Sequence, residues 1–254
     1  MNSIAYHKNL LVAIAGLSLI LIGNALTVRL AEADSFYEAM KREDIVAMSQ
    51  YVDQLQDPNI RLADGRTALM LAAKLSSREV VKKLLHAGAE INDRNLNGGT
   101  ALMYCAIRGD SETLMLLLNH GAEVNLTAKF GWTALMVAAA KGHAEFTSIL
   151  LDHGAEVNTR DVYRWTPLMR ASYSGHEQAV AALLSDANID VNAQDDNGAT
   201  AMHHAATNGY ARIVELLLEH NASSSIRDRF ELDPRGRAVE NDHASIVSLL
   251  DSRS

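Results

Sequence analysis

The sequence predicts an all-α solenoid of about seven helix-turn-helix units with β-hairpin fingers, preceded by an N-terminal apolar helix. Three observations lead to this prediction: an internal repeat, threonines that can cap short helices, and glycines that can end the second helix of each unit. Five threonines open successive units at spacings of 33 or 34 residues, namely Thr67, Thr100, Thr133, Thr166 and Thr200. A repeat of this length is typical of proteins that stack one supersecondary unit on the next.

Each unit contains two predicted helices joined by a polar break. The threonine is followed by a short run of Leu, Met and Ala, as at residues 100–103. The small alanines in such a run let neighbouring helices approach closely. The second helix carries apolar residues at helical spacing, which in one unit are Val80, Val81, Leu84 and Leu85. Gly88, Gly121 and Gly154 predict left-handed C-caps. An extended segment and a turn then lead to the next threonine.

Two degenerate copies flank the five clear units. They start at Asp34 and Asp233, each 33 residues from the nearest threonine of the series. Aspartate can cap a helix as threonine does, and the end units of a stack must present polar outer faces. The repeat domain is therefore predicted to span 34–254, with units starting near 34, 67, 100, 133, 166, 200 and 233.

The repeated pattern closely resembles the ankyrin repeat. The family pattern D-x-x-G-x-T-P-L-H-x-A-A-x-x-G-H, then V-x-x-L-L-x-x-G-A-x-x-N, is met at most positions in five consecutive units. This resemblance implies a curved stack of helix pairs with projecting fingers. The family's histidine is kept only at His203 and is replaced elsewhere by methionine, at Met70, Met103, Met136 and Met169. We expect these thioethers to fill the core, the alternative being a stack of oxidation-sensitive groups.

One turn position departs from the pattern in two units. Arg164 and Glu231 stand where the other turns have glycine. Because glycine is the residue that most readily takes a left-handed conformation, we expect these two finger tips to adopt another conformation.

Residues 1–33 differ from the repeats and are predicted to be a signal peptide or an uncleaved membrane anchor. His7 and Lys8 precede the uncharged apolar run 10–22, and an A-x-A triplet ends at Ala33, which fits cleavage before Asp34. If uncleaved, residues 10–28 would approach the length that spans a bilayer. We therefore expect a periplasmic or secreted protein, compatible with a bacterial source. The alternative is a single-pass membrane-anchored protein with its repeats outside the cytoplasm.

The sequence predicts neither catalysis nor a cofactor or metal. It contains no Gly-rich phosphate loop, H-E-x-x-H or G-x-S-x-G motif, and its acidic residues are assigned to solvent-facing positions or turns. Histidines at equivalent repeat positions, such as His120 and His153, lie roughly 8–10 Å apart in stacked helices, whereas zinc ligands converge within about 2.1 Å of the ion. Cys105 occupies a small buried position and is predicted to be unreactive. The net charge of −8 argues against a nucleic-acid partner.

The predicted function is protein binding through the finger tips and the exposed ends of the first helices. In the family that the chain resembles, these positions line the concave face. The candidate partner-binding residues there are Arg108, Lys129, Phe130, Trp132, Lys141, Tyr163, Arg164, Trp165, Tyr173 and Asn208. Trp, Tyr and Arg often anchor interfaces, but aromatic residues before the threonine can also pack finger against finger. Both alternatives stay open for the cluster from Phe130 to Trp165.

We therefore expect a monomeric, non-catalytic binding protein that is exported and inhibits or protects another protein. The acidic net charge would steer a basic partner toward it. One alternative is a membrane-tethered adaptor or scaffold held by residues 10–28, which are the only membrane contact predicted. Another is an effector delivered to a host cell.

Overall fold

The computed structural model describes residues 36–253, which form a row of helix pairs. The predicted signal peptide or anchor, the apolar helix and Asp34 lie outside these residues. Within 36–253, no helix combines the length and the apolar character that crossing a membrane requires. The first helical stretch, α1, covers 36–41 of the described chain. It is followed by α2 (Ile45–Tyr51), α3 (Ala68–Lys74), α4 (Arg78–His86), α5 (Ala101–Arg108), α6 (Ser111–Asn119), α7 (Ala134–Lys141), α8 (Ala144–Asp152), α9 (Pro167–Ser174), α10 (Glu177–Leu184), α11 (Ala201–Thr207), α12 (Ala211–Glu219), α13 (Pro234–Glu240) and α14 (Ala244–Asp251).

The helix pairs form two stacked layers. The first helices of successive units, from α3 to α13, pack against one another in order, and the second helices from α4 to α14 do the same. We number the units one to seven by their starts near 34, 67, 100, 133, 166, 200 and 233. The finger before each threonine or Asp233 is counted with the unit that this residue opens.

The predicted helix starts are confirmed at all five threonines, and at Thr67, Thr100, Thr133 and Thr166 the threonine hydroxyl caps the helix. Each of these hydroxyls accepts the backbone N–H of the methionine three residues later, at 3.2–3.4 Å. In unit six, the backbone N–H of Thr200 donates instead to Nδ1 of His203, at 3.1 Å. Asp233 caps α13 by accepting the N–H of Gly236 at 2.7 Å. The side chains at 70, 103, 136 and 169 are buried, which confirms the prediction that methionine fills the core.

Polar side chains join each unit to the next along both edges of the stack. Asn92 Oδ1 accepts the backbone N–H of Glu123 at 2.9 Å, and the bond recurs at Asn59, Asn125, Asn158 and Asn192. On the other edge, Nε2 of His143 donates to the carbonyl of Ile107 at 3.2 Å, and His176 and His243 repeat this bond. These histidines therefore connect consecutive units, in keeping with the structural role predicted for histidine.

The fingers are single turns and not two-stranded hairpins. Within 36–253 the only extended pairing is an isolated bridge between Arg61 and Thr67, so the predicted β-hairpins are wrong in detail. In a representative finger, the N–H of Asn95 donates to the carbonyl of Gly99 at 3.0 Å. One bond, from Lys129 N–H to the Asn97 carbonyl at 2.7 Å, joins this finger to the next. Five residues per finger are too few for a longer ladder.

The prediction of a different conformation at Arg164 and Glu231 is wrong. Both have φ of 60°, in the same left-handed region as the glycines at this position, whose φ values are 73–80°. A buried aspartate explains why a non-glycine residue is held there. Oδ1 of Asp161 accepts the N–H groups on both sides of Arg164, from Tyr163 and Trp165, each at 2.9 Å. Asp228 brackets Glu231 in the same way, and these bonds offset the backbone cost.

Candidate protein-binding surface

The candidate surface lies where the sequence placed it, on the fingers and on the C-terminal ends of the first helices. Eight of the nine large apolar side chains that are exposed within 36–253 lie at such positions: Leu96, Ile107, Phe130, Val162, Tyr163, Tyr173, Phe230 and Val239. Among the predicted residues, Trp132, Trp165 and Asn208 are half-buried and the rest are exposed. Six of these eight apolar side chains belong to units three to five, and we call the fingers and first-helix ends of these three units the binding surface.

The two tryptophans enclose Arg170. The guanidinium carbon of Arg170 lies 4.5 Å from the ring centroid of Trp132 and 4.5 Å from that of Trp165. Trp165 also contacts the rings of Tyr173, edge-on at 5.3 Å, and His204, at 4.2 Å. These contacts favour the packing alternative for both tryptophans. The side chains of Phe130 and Tyr163, by contrast, are 55% and 60% exposed, so they are free to contact a partner.

In four of the six fingers within 36–253, a side chain at the base bonds a residue on the first helix nine positions later. We call this pair the finger latch. In unit three, Nδ2 of Asn95 donates to the Tyr104 hydroxyl at 2.9 Å. The latches of units five to seven are Asp161 with Arg170, Asp195 with His204 and Asp228 with Arg237. The three aspartates lie in turns, as expected, but they are buried; the recurring spacing of nine residues was the signal that sequence analysis missed.

The latch carboxylates of units six and seven are structural anions. Burial alone would raise the pKa of Asp195, but hydrogen bonds from His204 and from the N–H groups of Asn197 and Ala199 outweigh it and lower that pKa. Asp228 is also buried, and bonds from Arg237 and two backbone N–H groups lower its pKa in the same way. Carboxylates held ionised and engaged by their own fold are not available as a general acid or base.

Unit four lacks a polar latch. Its two latch positions hold Ala128 and Val137, whose small apolar side chains leave the space beside them unfilled. The result is a groove of about 400 Å³ between units three and four. Its walls are formed by Asn95, Asn97, Gly99, Met103, Tyr104, Ile107, Ala128, Lys129, Phe130, Trp132 and Val137.

Four exposed cations lie on the binding surface, and one of them, Lys129, lines the groove. Arg108, Lys129, Lys141 and Arg164 make no ion pair with any residue in 36–253. In unit two, by contrast, Lys74 bonds to Glu43 at 2.8 Å. The binding surface is therefore locally positive although the whole chain has a net charge of −8.

Among residues 36–253, neither a metal site nor a reactive thiol accompanies the binding surface. Between 36 and 253 no three His, Cys, Asp or Glu side chains are grouped so that they could hold a metal ion. Cys105 is buried, and burial raises the pKa of its thiol. What the binding surface does present is apolar area, aromatic rings and unpaired positive charge, which are the components of a protein interface.

Comparison with known proteins identifies the repeats. Palmitoyltransferase akr1 of Schizosaccharomyces pombe is 54% identical over 43 residues, which are 17% of this chain and 7% of that protein. Serine/threonine-protein kinase 12 of Arabidopsis thaliana is 34% identical over 68 residues, or 27% of this chain and 15% of that protein. The chain thus matches only a small part of each relative. The family model for ankyrin repeats matches three overlapping stretches, 36–128, 102–195 and 187–253. Because these stretches cover most of its length, the chain belongs to the ankyrin repeat family.

Proposed function

We propose that this chain is a non-catalytic module that binds a partner protein on units three to five and thereby inhibits or protects it. Ankyrin repeats are protein–protein interaction modules. The observation that carries the proposal is the concentration of exposed apolar side chains on the binding surface, led by Leu96, Phe130 and Tyr163. Clusters of exposed apolar side chains rimmed by polar residues mark interaction sites on protein surfaces.

The proposed absence of catalysis rests on the contacts of the ionisable groups. Ankyrin repeat folds are typically non-catalytic. The buried carboxylates serve the latches, and the thiol of Cys105 lies in the core. The enzymatic names of the two relatives concern whole proteins of which this chain matches 7% and 15%, so they supply no activity for this chain.

We further propose that binding takes place outside the cytoplasm, since residues 1–33 have the composition of an export signal. Intact-mass measurement of the native protein in soluble and membrane fractions tests this. A soluble species that starts at or near Asp34 would support export. A full-length species confined to membranes would favour the tethered adaptor, and a full-length soluble species would contradict both.

Site-specific photocrosslinking tests the binding surface itself. A benzophenone amino acid is placed at Phe130 or Tyr163, and in matched controls at Lys82 or Glu145, which are exposed on the second helices α4 and α8. The same partner should be crosslinked from both positions on the binding surface and from neither control. Crosslinking to that partner from the second helices alone would refute the proposed surface.

A further inference from the structure

We infer that the groove of unit four receives a large apolar side chain from an acidic segment of the partner, whose carboxylates lie beside the surrounding cations. This inference rests on the proposed function and gives the partner's chemistry. It differs from the expectation of a basic partner, which followed from the net charge of the whole chain.

The groove lies beside latch positions that hold small apolar residues. In unit three these positions are occupied by Asn95 and Tyr104, and Nδ2 of Asn95 donates to the hydroxyl of Tyr104 at 2.9 Å. In unit four Ala128 and Val137 leave a space of about 400 Å³. Met103 and Trp132 add apolar walls. A Leu or Phe side chain would bury its apolar surface there without leaving a polar group of the chain unpaired.

The same substitution removes a hydrogen bond from the backbone at Phe130. In units three and five the side chain of the first latch residue accepts a hydrogen bond from the backbone N–H two positions later. In unit five, Oδ1 of Asp161 accepts the N–H of Tyr163. Ala128 cannot do so, and Phe130 takes φ 65° and ψ 15°, a conformation that bulky residues rarely adopt. Its carbonyl still accepts the N–H of Val162 at 2.9 Å. The ring is therefore presented at the groove edge on a finger that is bonded to its neighbour.

The charge around the groove specifies an acidic segment. Lys129 lines the groove, and its ammonium lies 5.4 Å from the centroid of the Phe130 ring. Arg108 and Lys141 occupy equivalent positions on adjacent stacked helices, which places them roughly 8–10 Å apart. Arg164 lies in the next finger. Carboxylates on both sides of an inserted side chain would lie close to these four cations and away from the acidic remainder of the protein, which would repel them.

The charge requirement is tested by fluorescence anisotropy with a defined probe. The probe is a short fluorescein-labelled peptide in which Asp and Glu residues flank a central Leu-Phe pair. The double variant Arg108→Glu/Lys141→Glu should bind it roughly tenfold more weakly. The control Lys82→Glu/Arg253→Glu makes the same change in charge at exposed positions outside the binding surface, and it should bind as the parent chain does. Equal affinity in the two double variants would overturn the inference.

The groove is tested by transferring the unit-three latch to unit four. Ala128→Asn/Val137→Tyr should fill the groove and abolish peptide binding while the melting temperature is kept or raised. Because the variant stays folded, loss of binding cannot be ascribed to unfolding. Full binding by this variant, or equal binding of a peptide with Ser-Gly in place of Leu-Phe, would overturn the inference.

Other occupants give different results in the same experiments. Equal binding of a lysine-flanked peptide would show that charge does not select the segment. Displacement of the peptide by single-stranded DNA would indicate a phosphate-binding surface, and a dimer in sedimentation that dissociates on adding peptide would indicate a second copy of this chain. Each of these results would overturn the inference. If photocrosslinking from Phe130 finds a partner but no acidic peptide binds, the inference fails and the proposed function stands.

Discussion

Arg170 holds units four and five together through three neighbours. Its guanidinium lies between the rings of Trp132 and Trp165, and it pairs with the carboxylate of Asp161. The Asp161 side chain is fully buried, so this carboxylate depends on Arg170 and on two backbone N–H groups for its hydrogen bonds. Such an arrangement stabilises the finger, but the removal of one member leaves the others buried without their partner.

The first prediction concerns this buried pair. Asp161→Ala should lower the free energy of unfolding by about 3 kcal/mol, because it leaves Arg170 without its counter-charge and removes the acceptor that brackets Arg164. Urea unfolding monitored by tryptophan fluorescence measures the change. Asp196→Ala, at an exposed position in the next finger, is the control and should alter stability by no more than about 0.5 kcal/mol. Similar losses in both variants would contradict the role assigned to the latch.

His203 is the only histidine at its position in the repeat, because methionine stands there in four other units. Its Nε2–H donates to the carbonyl of Leu232 at 3.1 Å, and Nδ1 accepts the N–H of Thr200. Protonation would put a second donor against that N–H group. Burial lowers the pKa of His203 and outweighs the bond to Leu232, which raises it.

The second prediction follows from the direction of this pKa shift. The unfolded chain takes up the proton near the ordinary histidine value of about 6.5, whereas the folded chain resists it, so stability should fall as the pH decreases below about 6.5. His203→Met, which copies the other units, should weaken this dependence. Melting temperatures between about pH 7.5 and about pH 5 provide the measurement. His153→Gln alters an exposed histidine and should keep the parent slope; a parent slope in His203→Met would contradict the assignment.

At the scale of the element, the two helices of unit four are each followed by a glycine that is needed for a different reason. Gly142 has φ of +77°, and a Cβ at this position would lie 2.6 Å from Nδ1 of His176 in the next unit. Gly154 has φ of +82°, but a Cβ there would meet no atom within 4 Å. The two glycines therefore share the left-handed backbone and differ in whether a neighbouring unit occupies the adjacent space.

The third prediction uses this difference. Gly154→Ala should cost about 1 kcal/mol of unfolding free energy, which is the cost of a left-handed conformation for a residue with a Cβ. Gly142→Ala should cost more, because the His176 ring must also leave its position and give up its bond to the Ala140 carbonyl. Urea unfolding of both variants supplies the comparison. Equal losses would mean that the histidine contact adds nothing to stacking.

The helices could be predicted from the sequence more fully than the fingers. The caps at Thr100 and Thr133 depend on a residue type that recurs at one position, so a pattern reveals them. The latches keep their geometry while their chemistry changes from Asn95 with Tyr104 to Asp195 with His204. A search for repeated residue types therefore misses them. The conformation of Arg164 was mispredicted for the same reason, because it depends on bonds to a buried aspartate that the local sequence does not reveal.

At the scale of the whole molecule, stability and binding are distributed differently along the stack. The hydrogen bonds between units recur at a fixed position, from Asn59 to Asn192, so the five junctions from unit one to unit six are held in a similar way. The groove and six of the exposed apolar side chains, in contrast, lie in units three to five. A partner would therefore contact the middle of the stack, while both end units remain available to close the core against water.

The fourth prediction tests whether the stack behaves as a row of coupled neighbours. Ile246→Asp places a charge at a fully buried position in α14 of the last unit, and Met48→Asp does the same in α2 at the other end. Because each unit packs on the units beside it, Ile246→Asp should reduce amide hydrogen-exchange protection in units six and seven and leave units two and three close to the parent chain. Met48→Asp should produce the opposite gradient. Protection lost evenly along the chain in both variants would mean that the stack unfolds as one cooperative body, and that the binding surface cannot stay folded when an end unit opens.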